Sequence, residues 1–182
     1  MQGTLDQKDR ATYGTLDQLD DGRWQLRFTR RLPHPQETVW RALTEPEHLG
    51  HWFPTSIEGD REPGAKLTFS FPEGKLPPME GEMLAYEPPS LMELRWGPDI
   101  LRLELRPIDE GTELTLLDTL DEHGKGARDG AGWHVCLDSL EAHLRGEADA
   151  RDEMARWEEV HPHYVETFGP EASTIGPPEG IK

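Results

Sequence analysis

The chain has 182 residues, 34% of them hydrophobic, and carries 19 Lys and Arg against 36 Asp and Glu for a formal net charge of −17. A chain of this length suits one core, in which folding removes about 70% of the unfolded surface from water. The negative charge opposes phosphate backbones and anionic lipid surfaces, so neither nucleic acid nor a membrane is expected as a partner. No apolar run approaches the ~20 residues of a bilayer span, and Met1-Gln2-Gly3-Thr4 lacks the charged and apolar regions of a signal peptide; a cytoplasmic protein is expected. The single cysteine, Cys136, has no partner for an internal disulfide and reads as a small core residue.

Residues 1–12 are polar and without period, which predicts a flexible arm. Asp20-Asp21-Gly22 offers a hairpin turn, and Trp24, Leu26 and Phe28 alternate with Gln25, Arg27 and Thr29 as in a half-buried strand. Pro33 and Pro35 stop that strand, and Pro35 starts a helix with Val39, Trp40 and Leu43 on one face, broken at Pro46. A second short helix is expected over Glu47 to Phe53. Leu67, Phe69 and Phe71 then alternate, as do Leu94 and Trp96, Leu101 to Leu105, and Leu114 and Leu116, with Pro- and Gly-rich turns between the runs. Such short spacings predict an antiparallel meander.

A glycine-rich loop from Asp121 to Gly132 is expected to lead into a long helix, which, if it begins near Ala127 and runs to Arg145, is long enough to cross a whole sheet. Trp133, Cys136, Leu137, Leu140 and Leu144 form its apolar stripe, Asp138, Ser139 and Glu141 point elsewhere, and Gly146 ends it. Ala148 to Phe168 has helical composition, with Pro162 expected to kink or split it, and its aromatic residues need a surface in cis or on a second subunit. A homodimer is thus one possible partner arrangement. The Gly- and Pro-rich end, 169–182, is expected to be disordered. The division is an arm (1–12), a domain (13–146), a helical extension (147–168) and a tail.

Strand, two short helices, meander and long terminal helix form the helix-grip arrangement of α+β proteins. Val39-Trp40-Arg41-Ala42-Leu43-Thr44-Glu45-Pro46-Glu47-His48-Leu49 followed by Trp52-Phe53 resembles the signature of the activator of heat-shock protein 90 ATPase homologues, within the START-related (SRPBCC) superfamily. Gly132-Trp133 with Leu137, Leu140 and Leu144 resembles its closing helix; Gly81, Pro88-Pro89 to Trp96 and Gly111-Thr112 sit where the pattern has them, so the likeness covers about residues 14–146. It implies a pocket between the concave sheet face and the long helix. Trp52, Phe53, Phe69, Phe71, Leu94 and Trp96 would line it from the loop and the first strands; Leu103, Leu105, Leu116, Trp133, Leu137 and Leu140 would complete it. These residues equally suit a filled core.

Asp118 shares parity with Leu114, Leu116 and Leu120 and so points inward, where an unpaired charge is expensive. His134, beside the apolar stripe, is a candidate partner, and an inward acid with a histidine is what acid/base chemistry on a carbonyl ligand uses. Arg102 and Glu104 fall on the outer face. No cofactor or metal is expected: His48 and His51 beside Glu47 lack the further ligands of a zinc site, His161-Pro162-His163 reads as a solvated corner, and no phosphate-cradling glycine motif or Gly-x-Ser-x-Gly elbow exists. The sequence therefore favours non-enzymatic carriage or sensing of a small hydrophobic, lipid-like or aromatic ligand. The resemblance implies two alternatives: a stress-response co-chaperone that activates a heat-shock ATPase, and a polyketide cyclase or hydrolase using Asp118 and His134.

Overall fold

The computed structural model describes residues 12–147 and 153–176. Strands β1 (Thr15–Gln18) and β2 (Trp24–Leu32) form the first hairpin, followed by helices α1 (Gln36–Thr44) and α2 (Pro46–Leu49). Then come β3 (Lys66–Phe69), β4 (Met79–Glu87), β5 (Leu91–Trp96), β6 (Asp99–Ile108) and β7 (Gly111–Leu120), and helices α3 (Gly126–Leu144) and α4 (Glu153–Phe168). All seven strands join one antiparallel sheet in the order β1-β2-β7-β6-β5-β4-β3. The meander β3 to β7 thus closes back on the first hairpin through β2. A register shift between Met83 and Ala85 bends β4 near one edge.

Period-two alternation fixes which face is covered. One row across the sheet reads Leu26, Asp118, Leu101, Leu94 and Met83, every member at most 1% exposed. The opposite face is polar: Arg102 pairs with Glu93 at 3.2 Å and with Glu104 at 2.5 Å, as expected for the outer surface. Helix α3 covers the inner face and ends in a Schellman cap, in which Gly146 takes φ +75° and the N–H groups of Gly146 and Glu147 donate to the carbonyls of His143 and Ala142.

Several boundaries differ from the sequence expectation. The second short helix stops at Leu49, its last turns loosening toward Pro54, and β3 ends at Phe69 because Phe71 already leads into the 3-10 turn at Pro72–Gly74. Helix α3 starts at Gly126, next to the expected start near Ala127, so the alternative reading of 121–132 as a loop holds only up to Lys125, and Gly130 and Gly132 lie within the helix. Gly130 approaches α4, since a Cβ there would stand 3.2 Å from Phe168 and 3.3 Å from Tyr164. Helix α4 is neither split nor ended at Pro162, because Trp157 on one side and Tyr164 on the other hold it against α3. His161 and His163 are not a solvated corner; their rings pack on Trp157 and Tyr13 at 4.2 and 3.9 Å.

Helix α4 also buries the side of α3 expected to face solvent, so Asp138 and Ser139 are at most 9% exposed. Cys136 is half-buried beside the core rather than within it, and burial raises its thiol pKa. Residues 170–173 form a 3-10 turn that buries Ala172, so the expected disorder does not begin at Gly169. Residues 1–11 of the expected arm (1–12) and residues 177–182 of the expected tail (169–182) lie outside the described residues. Among the described residues no helix is long and apolar enough to cross a membrane.

Candidate functional site

The sheet and α3 meet through aromatic side chains. Phe53, Phe69, Trp96 and Trp133 lie with ring centroids 4.7 to 5.9 Å apart, in tilted and edge-on pairs. Trp52, Leu94, Leu103, Leu105, Leu116, Leu137 and Leu140 surround them, each at most 5% exposed. The residues expected to line a pocket here largely fill one another's space.

Asp118 is fully buried among them and accepts a hydrogen bond from Trp133 Nε1 at 2.9 Å. Its other oxygen has no hydrogen-bond partner. Burial, then the charges of Asp99 and Asp129, hold its carboxyl well above the ordinary carboxylate range, which favours the neutral form. Asp99, Asp118 and Asp129 are the one group among the described residues whose His, Cys, Asp or Glu ligand atoms all lie within 4.8 Å of one another. Lys125 Nζ sits 2.9 Å from Asp99, and Arg128 sits 2.8 Å from Asp129. Those cations, with the proton on Asp118, balance the trio.

The expected Asp118–His134 pair does not form. The two residues leave α3 and β7 toward different neighbours: His134 Nδ1 lies 2.8 Å from Tyr164 Oη and its Nε2 3.4 Å from Asp138. Tyr164 Oη already accepts the Gly14 N–H and so donates to Nδ1, which puts the ring proton on Nε2, a buried atom that faces Asp138 without a hydrogen bond. Asp138 accepts from Arg30 at 2.9 Å and from Arg156 at 3.3 Å. Although burial opposes it, His134 and Arg30 hold the Asp138 carboxyl well below its ordinary value. This network joins β2, α3 and α4 and is buried at Arg30 and His134, while Arg156 reaches solvent. His48 and His51 meet a third histidine, His143 of α3, at 2.9 Å between ring nitrogens and 4.3 Å between stacked rings respectively.

The open space lies elsewhere. A groove of about 1160 Å³ runs beside α1 and α2, bounded by the loop 53–61, the start of the 3-10 turn after β3, and the end of β4. Trp40, Leu49, Phe53, Ile57, Phe71 and Tyr86 supply its apolar lining, so two of the expected pocket residues, Phe53 and Phe71, do border it. The Trp40 and Tyr86 rings pack on each other there, with centroids 5.5 Å apart. Its polar lining includes Thr55, a buried residue whose hydroxyl has no hydrogen-bond partner, and Arg61. The Arg61 guanidinium donates to the carbonyls of Thr44, Ile57 and Gly59 at 3.0 to 3.4 Å. Thr55 and Arg61 stand in a stretch with no hydrophobic period, so pattern reading passed over them.

An open antiparallel sheet gripping one long helix, with two short helices inserted after the first hairpin, defines a helix-grip protein. Residues 33–145 match the family described as Activator of Hsp90 ATPase homolog 1-like protein, and the chain belongs to that family. Among solved structures, CalU16 from Micromonospora echinospora is 23% identical, with a TM-score of 0.69 over 87% of this chain and 98% of that one. EF2215 from Enterococcus faecalis, a conserved protein of unknown function, is 23% identical with a TM-score of 0.70, covering 87% and 92%. The protein encoded by BPP1335 from Bordetella parapertussis is 26% identical with a TM-score of 0.64, covering 85% and 93%. No protein of curated function matches the chain.

Proposed function

We propose that this protein is a non-enzymatic carrier or sensor of a small apolar ligand, and that the ligand lies in the groove beside α1 and α2. The observation that carries this reading is the groove itself: an aromatic and aliphatic floor from Trp40, Leu49, Phe53, Ile57, Phe71 and Tyr86 bordered by polar and charged residues, at a volume just above the ~300–1,000 Å³ common for small-molecule sites. The interface of sheet and α3 offers less, because its rings pack on each other.

The test uses Gly50, which borders the groove with φ −61° and has nothing within 4 Å of where a Cβ would stand. A tryptophan there meets no backbone obstacle and projects bulk at the groove rim. Screening wild type by native mass spectrometry and calorimetry against hydrophobic compounds is expected to give a one-to-one binder, with affinity reduced at least tenfold by Gly50→Trp at unchanged melting temperature. No binder for wild type, or equal binding by the variant, contradicts the proposal.

A further inference from the structure

We infer that the groove's ligand carries an anionic head, of which a carboxylate is the simplest, seated between Arg61 and the Thr55 hydroxyl, with an apolar body on Trp40, Phe53 and Tyr86. This inference rests on the groove being the ligand site and names the chemistry it selects.

Every hydrogen bond Arg61 makes goes to a backbone carbonyl. Carbonyls satisfy the donors and hold the fork in place, yet they leave its formal charge uncompensated. Among the described residues no carboxylate lies within 4.0 Å of it, in a chain with 36 acidic side chains. The guanidinium is half-buried, and burial lowers its pKa, which marks a cation deprived of water without receiving an anion. Counting donors, Nε gives one N–H, Nη2 two and Nη1 one, so one Nη1–H remains.

Thr55 supplies a separate sign. The residue borders the same groove, and its Oγ1 is buried and finds no partner in the protein, a state that costs free energy until something polar arrives. One free guanidinium N–H and one free hydroxyl suit the two oxygens of a carboxylate. The groove's own acids do not compete for that place: Glu37 and Glu58 are exposed at the rim and screened by water, and Glu45 faces His48 at 3.6 Å.

The experiment compares 4-phenylbutyrate, 4-phenylbutanol and 4-phenylbutylamine, which share one body, by calorimetry and by amide chemical-shift changes. The acid is expected to bind roughly tenfold or more tightly than the alcohol, the worth of a charge-assisted hydrogen bond, and the amine most weakly. Thr55→Val, which keeps side-chain shape and removes an unpaired hydroxyl, is expected to weaken the acid severalfold and leave the alcohol unchanged. Arg61→Gln is expected to abolish the acid's advantage, with melting temperature measured alongside because the residue also ties down three carbonyls. Equal affinities of all three compounds with shifts confined to the groove overturn the anionic head and leave the groove reading standing. Shifts confined to α3 and the inner face of the sheet overturn both.

Discussion

At the scale of single residues, Asp118 and Asp138 show how one side-chain type takes opposite states inside one core. Asp118 sits in an apolar row with two other carboxyls near it, so its folded pKa is raised; Asp138 sits against Arg30 and His134, so its folded pKa is depressed. The signs differ accordingly. For Asp118 the folded chain keeps a proton that the unfolded chain releases above about pH 4, so stability is lost as pH rises from there to the folded pKa. Asp118→Asn retains an acceptor for Trp133 Nε1, and its stability advantage over wild type is expected to grow as pH rises above about 4, read from urea midpoints. For Asp138, stability is present above the unfolded pKa and lost only as pH falls through the depressed folded value. Asp138→Asn leaves Arg30, 2% exposed, without its nearest anion and is expected to cost about 3 kcal/mol near neutral pH. Alternation was enough to place Asp118 inward. Its partner was not legible, because Trp133 and His134 are adjacent in sequence but leave α3 about 100° apart, and only the packing of α4 decides which neighbour each meets. Arg30 carried a readable sign, continuing the inward parity of Leu26 and Phe28.

Among elements, α4 changes the character of α3. The stripe Trp133, Leu137, Leu140 specifies a one-sided amphipathic helix, and on that evidence Asp138 and Ser139 belong in water. Docking of α4 buries them and requires Gly130, where any larger side chain meets Tyr164 and Phe168. Gly130→Leu is therefore expected to separate α4 from α3 while leaving the sheet folded: amide exchange rises across 153–168, and the transition at higher temperature remains. Exchange unchanged in α4 contradicts this. The strands, turns and caps were legible because each depends on local chemistry, period two between Pro and Gly turns and Gly146 at its cap. The start of α3 was legible only as one of two readings, near Ala127 or after Gly132, since glycines at 124, 126, 130 and 132 also suit a loop until a neighbouring helix requires close approach.

For the whole molecule, the family likeness carried the architecture from the sequence, and it also directed attention to the interface of sheet and long helix. Phe53, Phe69, Trp96 and Trp133 interlock there, whereas Phe71 leaves the sheet, and the open volume forms where two short helices and an aperiodic loop leave the edge of the sheet uncovered. Periodicity finds what is buried; it does not find where burial is incomplete, and so Trp40, Ile57, Arg61 and Tyr86 went unassigned as groove residues. The net charge of −17 adds a constraint at this scale, repelling anions from a distance, so an acidic ligand is expected to associate faster as salt screens the field. The most direct test of the groove as binding site is a crystal structure with 8-anilinonaphthalene-1-sulfonate bound. This account predicts density against Trp40 and Tyr86, with the sulfonate toward Arg61; density between α3 and the sheet, among Trp96, Trp133 and Leu116, would contradict it.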